Sequence, residues 1–281
     1  MLARAKINLY LHVVGRRADG YHLLDSLIVF AETGDEIAVA PADALSLTME
    51  GPFAGKLAAD ADNLVLRAAR GLQELTGTKA GAAITLTKNL PVASGIGGGS
   101  ADAATTLQAL AALWKVAPDQ DALRRLALGL GADVPVCLAG RPSFIGGIGE
   151  EIVAAESLPA AHLLLVNPGI ATPTPAVFKA RTGGFSRAAR WPEPPRDAVA
   201  LARALGERRN DLTDAAIAVT PAIRDVLAAI AATRDVLLTR LSGSGATCFG
   251  LYATAAAAAA ARDALRAAHP GWWAVAAPIA Q

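Results

Sequence analysis

Between Pro91 and Ser100 the chain reads Pro-Val-Ala-Ser-Gly-Ile-Gly-Gly-Gly-Ser, and an alanine-rich stretch runs on from Ala101 to Trp114. Glycines 95, 97, 98 and 99 offer backbone N–H groups with no side chain in the way, directly ahead of a predicted helix. Unpaired amides and the positive end of a helix dipole then point at one spot, an arrangement that binds phosphate. A tight turn crossing a strand would account for a glycine or two. Four in five residues ask for more, since each costs roughly 0.5–1 kcal/mol of backbone entropy where no special conformation is needed. No Lys-Ser or Lys-Thr follows, so this is not a Walker A loop. Gly95 and Gly97 fit a dinucleotide fingerprint, but residue 100 is Ser.

Phosphoryl transfer needs an oriented hydroxyl, a place for its proton and positive charge beside the moving group. Asp133 lies in Leu-Gly-Ala-Asp-Val-Pro-Val-Cys-Leu, where an ionised carboxylate among apolar residues is costly unless partnered. Lys6 and Asn8 share one face of an alternating strand whose other face carries Ile7, Leu9, Leu11 and Val13. A lone lysine on such a face is ordinarily solvated. Asn63, after Asp62, is placed to cap the helix that follows.

These residues need elements to hold them. The first strand ends at the turn Gly15–Gly20, and strand material from Leu23 to Val39 is expected to break near Gly34-Asp35. A helix capped at Asp62-Asn63 precedes a strand at Ala83–Leu86, and a helix from about Asp119 to Leu130 precedes Asp133. Beyond a domain boundary placed near Glu151 come a strand at Leu163–Val166, a proline-bearing segment at Ala171–Lys179 and an exposed loop from Arg181 to Pro195. Helices then run to about Ala232. Leu238–Leu241, the glycines 243 and 245, and Cys248–Tyr252 read as strand, turn, strand, and Ala255–Ala261 as part of a helix ending near His269. Mixed strands and helices without repeats indicate an α+β or α/β organisation in two domains, residues 1–151, which carry the glycine-rich phosphate loop, and residues 152–281.

Composition narrows the partners. The 281 residues carry a formal net charge of +1 with acids and bases interspersed, which provides no basic stripe for nucleic acid. Cys137 and Cys248 are the two cysteines, far apart and without ligand spacing, so neither a disulfide framework nor a zinc site is expected. No apolar run reaches the ~20 residues of a membrane span, and a cytoplasmic protein is expected.

Pro91 to Ala104 resembles the second motif of the galactokinase, homoserine kinase, mevalonate kinase and phosphomevalonate kinase (GHMP) superfamily. Ile96 stands for the usual Leu, and Ala101 for a Ser whose hydroxyl could touch phosphate or metal, so that role passes to Ser100 alone. Ala5-Lys6-Ile7-Asn8-Leu9, Gly131-Ala132-Asp133-Val134-Pro135 and Leu241-Ser242-Gly243-Ser244-Gly245-Ala246 match the other motifs in order. The resemblance implies an N-terminal ribosomal-S5-domain-2-like α/β domain and a C-terminal ferredoxin-like domain with the active site in the cleft between them. ATP would lie along Pro91, Gly95, Gly97, Gly98, Gly99 and Ser100, with Asn63 near the nucleotide and Mg²⁺ bound mainly through phosphates. Asp133 would be the general base, and Lys6 would orient it and offset developing charge.

Tyr21-His22-Leu23, Pro173 to Phe178 and Asn210-Asp211-Leu212 are similar to the branch of that superfamily acting on a cytidine-diphosphate-linked sugar alcohol in non-mevalonate isoprenoid synthesis. Two aromatic rings can sandwich a pyrimidine, so Tyr21 and Phe178, from different predicted domains, would flank the base and His22 would read its edge. Asn8, Thr174, Pro175 and Gly243 complete the expected substrate site. A homoserine or mevalonate type of kinase would not need the aromatic set, and a sensor that has lost catalysis would not need both Lys6 and Asp133.

Overall fold

The computed structural model describes residues 1–56, 62–155, 158–191 and 193–281. Two long strands open the chain, β1 (Leu2–Arg16) and β2 (His22–Ala42), and they pair with each other. The expected break at Gly34-Asp35 does not occur. A Cβ on Gly34 would lie 2.0 Å from the Ala3 carbonyl oxygen, so the glycine permits a close backbone approach within a continuous strand. Neither compact unit of the chain is continuous in sequence. One comprises Met1–Ala5, Thr33–Val92 and Gly97–Gly140, the other Lys6–Glu32, Ala93–Ile96 and Arg141–Gln281. Residue 151 falls inside the second.

In the first unit β3 (Leu45–Glu50) pairs parallel with β4 (Gly81–Thr87), and β4 pairs antiparallel with the C-terminal half of β2, Glu36 opposite Thr87. With them go the α-helices α1 (Leu64–Thr76), α2 (Gly98–Trp114), α3 (Gln120–Leu130) and α4 (Val134–Ala139). The Asn63 side chain caps α1 by accepting from the Val65 amide at 3.0 Å, and Gly77 ends that helix in the left-handed region. Asp119 caps α3 in the same way through the Ala122 amide. The alanines of α2 are small enough for both α1 and α4 to pack on it, and from Ala101 to Leu107 every residue is buried. This helix starts earlier than its composition suggests. Gly97, at φ +64°, is its N-cap, and Gly98 and Gly99 form its first turn.

In the second unit the N-terminal half of β2 pairs antiparallel with β5 (Ser143–Gly146), which pairs with β6 (Glu151–Ala154). A further antiparallel sheet follows the order β10-β7-β9-β8, built from β7 (His162–Asn167), β8 (Leu238–Leu241), β9 (Cys248–Tyr252) and β10 (Trp273–Pro278). Helices α5 (Thr174–Ala180), α6 (Ala198–Gly206), α7 (Thr213–Val219) and α8 (Ala222–Ala231) connect β7 to β8, and α9 (Ala255–Ala268) connects β9 to β10. Strand, helices, strand, strand, helix, strand with the outer strands in this order is the ferredoxin-like arrangement. Its core joins Leu164, Val166, Cys248 and Tyr252 to Val226 and Ile230 of α8 and to Ala258, Ala261 and Leu265 of α9, so the poly-alanine run is a helix packed on a sheet.

The segment after α5, expected to be an exposed loop, is irregular but tied down. Ser186 N donates to Val13 O at 2.9 Å, His12 Nδ1 to Arg187 O at 3.0 Å, and Ala189 N to the buried Asp25 carboxylate at 2.7 Å. Among the described residues no helix is long and apolar enough to cross a membrane.

Candidate active site

Lys6 and Asn8 project from β1, and both are only 4% exposed. The strand is buried on both faces from Ala5 to Val13, which corrects the expectation of a solvated face. Lys6 Nζ donates to Asn8 Oδ1 at 2.9 Å, and Asn8 Nδ2 donates to Ser26 Oγ at 2.8 Å. The backbone amide of Asn8 donates to Ser242 Oγ at 3.2 Å, and that hydroxyl donates to Gly95 O at 3.1 Å. One asparagine thus links the lysine to both glycine motifs.

Those motifs meet backbone to backbone. A Cβ on Gly95 would lie 2.6 Å from Ser242 O and 2.7 Å from Gly245 N, and one on Gly243 would lie 2.8 Å from Gly95 O. Both glycines have positive φ, +77° and +55°. Their lack of a side chain is explained by this approach and conformation, so of the four loop glycines Gly95 is accounted for without a phosphate. Asn210 holds the same turn, donating through Nδ2 to Leu241 O at 2.9 Å and to Gly243 O at 2.7 Å. Thr174 at the start of α5 shares a 2.8 Å hydroxyl contact with Ser244, and Pro175 is the next residue of that helix.

His22 stacks on Phe178, with centroids 5.1 Å apart and planes 27° apart. That is contact distance for two rings. Tyr21, next to His22 in sequence, is 62% exposed. All three residues belong to the second unit, not to two domains as expected. Burial holds the His22 imidazole below its ordinary range, and the guanidinium groups of Arg16 and Arg181 add to the effect.

In the first unit, no side chain caps α2, and the first-turn amides of Gly98, Gly99 and Ser100 have no acceptor within the helix. Ala101 N to Gly97 O, 2.8 Å, is the first bond of the helical ladder. Pro91 is buried where the loop leaves β4. Asn63 sits at the start of α1, its carbonyl used on the cap. Asp133 is half-buried and immediately precedes α4, whose N-terminus its side chain does not cap.

Sequence reasoning missed a charged group beneath α2. Lys88 Nζ bonds Asp35 Oδ2 and, at 2.7 Å, Asp102 Oδ2. Burial pushes the Asp102 carboxyl up to about 7 against the pull of Lys88, with the Asp35 charge adding to the rise. An acid set among Ala101, Ala103 and Ala104 is the same signal that singled out Asp133, and could have found it.

A strand and a helix opened by glycines in one unit and a ferredoxin-like sheet in the other, with the lysine, the aspartate and the Leu241–Ala246 glycine motif in order, define a class. The family description GHMP kinases N terminal domain matches residues 63–141, and GHMP kinases C terminal matches residues 188–271. The chain belongs to the GHMP kinase family and has its two-domain fold. It is 61% identical over 271 residues to the 4-diphosphocytidyl-2-C-methyl-D-erythritol kinase of Paramagnetospirillum magneticum, covering 96% of this chain and 95% of that one. It is 54% identical over 272 residues to the Rhodospirillum rubrum protein of the same name, covering 97% and 90%. A crystal structure of 4-(cytidine 5'-diphospho)-2C-methyl-D-erythritol kinase superposes with a TM-score of 0.81 at 35% identity, over 100% of this chain and 99% of the other.

Proposed function

We propose that this chain is an ATP-dependent kinase that phosphorylates the 2-hydroxyl of 4-diphosphocytidyl-2-C-methyl-D-erythritol, in non-mevalonate isoprenoid precursor synthesis. The observation that carries this reading is the 61% identity over nearly the whole of both chains. Lys6, Asp133 and the three glycine-bearing motifs fit the same chemistry.

In this reading Asp133 accepts the proton of the 2-hydroxyl as that oxygen attacks the γ-phosphorus. The new O–P bond forms while the bond from the γ-phosphorus to the β,γ-bridging oxygen breaks, and ADP leaves. Lys6, its ammonium fixed by Asn8, offsets charge on the transferring group. The ATP phosphates lie on the amides of Gly98, Gly99 and Ser100 and the Ser100 hydroxyl, with Pro91, Gly95 and Gly97 shaping the loop and Asn63 near the nucleotide. Tyr21, His22 and Phe178 take the cytosine, which enters as the His22–Phe178 stack parts. Thr174, Pro175, Asn8 and Gly243 line the rest of the alcohol. Among the described residues no group of three or more His, Cys, Asp or Glu is placed to cage an ion. Mg²⁺ in this proposal would be held mainly through the phosphate oxygens, keeping water in its other positions, as in many nucleotide sites. The reaction belongs to the cytoplasm.

The test is ADP release measured with ATP and, in turn, the cytidylyl alcohol, homoserine and mevalonate. Turnover with the first alone supports the reading, and turnover with either of the others in its place overturns it.

A further inference from the structure

Three charges lie together beneath the start of α2, and the mechanism above does not use them. Lys88 is 2% exposed, Asp35 0% and Asp102 2%. The single ammonium bonds both carboxylates. Asp35 Oδ1 also accepts the backbone amides of Asn89 at 2.6 Å and Leu90 at 2.8 Å, where the chain leaves β4 for the glycine loop. Asp102 Oδ1 is buried without a hydrogen-bond partner among the described residues. Burying three ionisable side chains together is expensive, and apolar side chains of similar size are often as good or better for stability alone. A satisfied apolar core would not leave a carboxylate oxygen unpaired.

The position of the group suggests what it does. Asp102 stands one turn into α2, directly after the amides assigned to the phosphates. A Cβ on Gly98 would lie 3.2 Å from Lys88 Nζ and 3.5 Å from Asp35 Oδ2, so the first turn of the helix rests on the ammonium. Lys88 thereby joins three points of the backbone: the end of β4, the strand β2 at Asp35, and the helix at Asp102. Fixing the helix against both strands fixes the direction in which its first amides point.

We propose that Lys88, bridging Asp35 and Asp102, is a positioning residue for ATP that sets the first turn of α2 so that the amides of residues 98–100 face the phosphates. The inference rests on the kinase reading and adds a support to its nucleotide site. Lys88 touches no reacting atom. Asp102 acts only through Lys88, so any side chain that accepts from the ammonium at that position supplies part of the function.

The experiment compares wild type with Lys88→Met, Asp102→Leu and Asp102→Asn. It uses calorimetric binding of a non-hydrolysable ATP analogue, KM for each substrate, and melting temperature. Lys88→Met and Asp102→Leu should weaken analogue binding and raise KM for ATP by about ten- to a hundredfold, the scale of an ångström-sized misplacement. KM for the cytidylyl alcohol should stay within about threefold on the same scale. Asp102→Asn, whose carbonyl oxygen still accepts from Lys88, should lose less than Asp102→Leu. Folded variants that melt lower but bind the analogue like wild type would make the group structural only and overturn the proposal, as would equal losses in Asn and Leu variants. Wild type that binds the analogue but phosphorylates no alcohol would instead remove the kinase reading while leaving the positioning claim to the binding data.

Discussion

Replacing Asn210 tests whether the turn of the third glycine motif is held by one side chain. Two carbonyl oxygens and one amide surround that side chain, which permits one orientation only: Nδ2 toward Leu241 O and Gly243 O, Oδ1 toward the Leu212 amide at 2.9 Å. Asn210 is 5% exposed, and Leu241 and Leu212 are buried. Asn210→Ala strands three buried backbone groups, so the loss should be about 3 kcal/mol at roughly 1 kcal/mol per hydrogen bond. Asn210→Asp keeps the bond to Leu212 but turns a charged oxygen toward two carbonyls. It should cost at least ~1 kcal/mol more than the alanine change, because a buried charge facing acceptors is worse than an empty space. Acid should narrow that gap, since a protonated carboxyl can donate to one of the carbonyls. Urea unfolding of the three proteins at neutral and acidic pH, with the midpoints compared at constant slope, measures both effects. An aspartate variant at neutral pH as stable as the alanine variant, or an alanine variant within about 1 kcal/mol of wild type, would refute the argument.

Asp133→Asn should lower turnover by ~10²–10⁴-fold with ATP affinity nearly unchanged, because a general base acts in the transition state; single-turnover kinetics and analogue binding check this together. The His22 imidazole should titrate below the ordinary 6.5 by NMR, because its burial and the nearby Arg16 and Arg181 disfavour the cation. The contribution of its neutral form to stability is then fully present above 6.5 and lost as pH falls through the folded value. Asp102 works in the opposite sense. With its carboxyl raised from 3.8 to about 7, the folded chain keeps a proton that the unfolded chain has released, so stability falls as pH rises across that window. Asp102→Asn should flatten that part of the profile in denaturation measured from pH 4 to 7.

Local signals carried much of the fold. Alternation marked β1, and the strands at 238–241 and 248–252 are found at the residues the pattern indicated. Capping chemistry marked α1 and α3, because an Asn or Asp ahead of an apolar period satisfies first-turn amides. What was illegible came from partners distant in sequence. Gly34-Asp35 reads as a break in a strand. The glycine answers to Ala3 and the aspartate to Lys88, neither of which a local window contains. Lys6 reads as solvated for the same reason, since Ser26, Ser242 and Gly95 surround its Asn8 partner only after folding. In the glycine loop the count of glycines was legible but their reasons were not. Gly95 yields to the third motif, Gly97 to the left-handed cap and Gly98 to Lys88, which leaves the amides rather than the missing side chains as the feature offered to phosphate.

The proposed reaction transfers the γ-phosphoryl group of ATP to one hydroxyl of the cytidylyl alcohol. ³¹P NMR of a reaction holding the purified protein, ATP, Mg²⁺ and 4-diphosphocytidyl-2-C-methyl-D-erythritol tests it directly. A phosphomonoester signal coupled to carbon 2 of the alcohol should grow in step with ADP, and it should disappear with Asp133→Asn. ADP accompanied by free phosphate, or an ester at another hydroxyl, would contradict it.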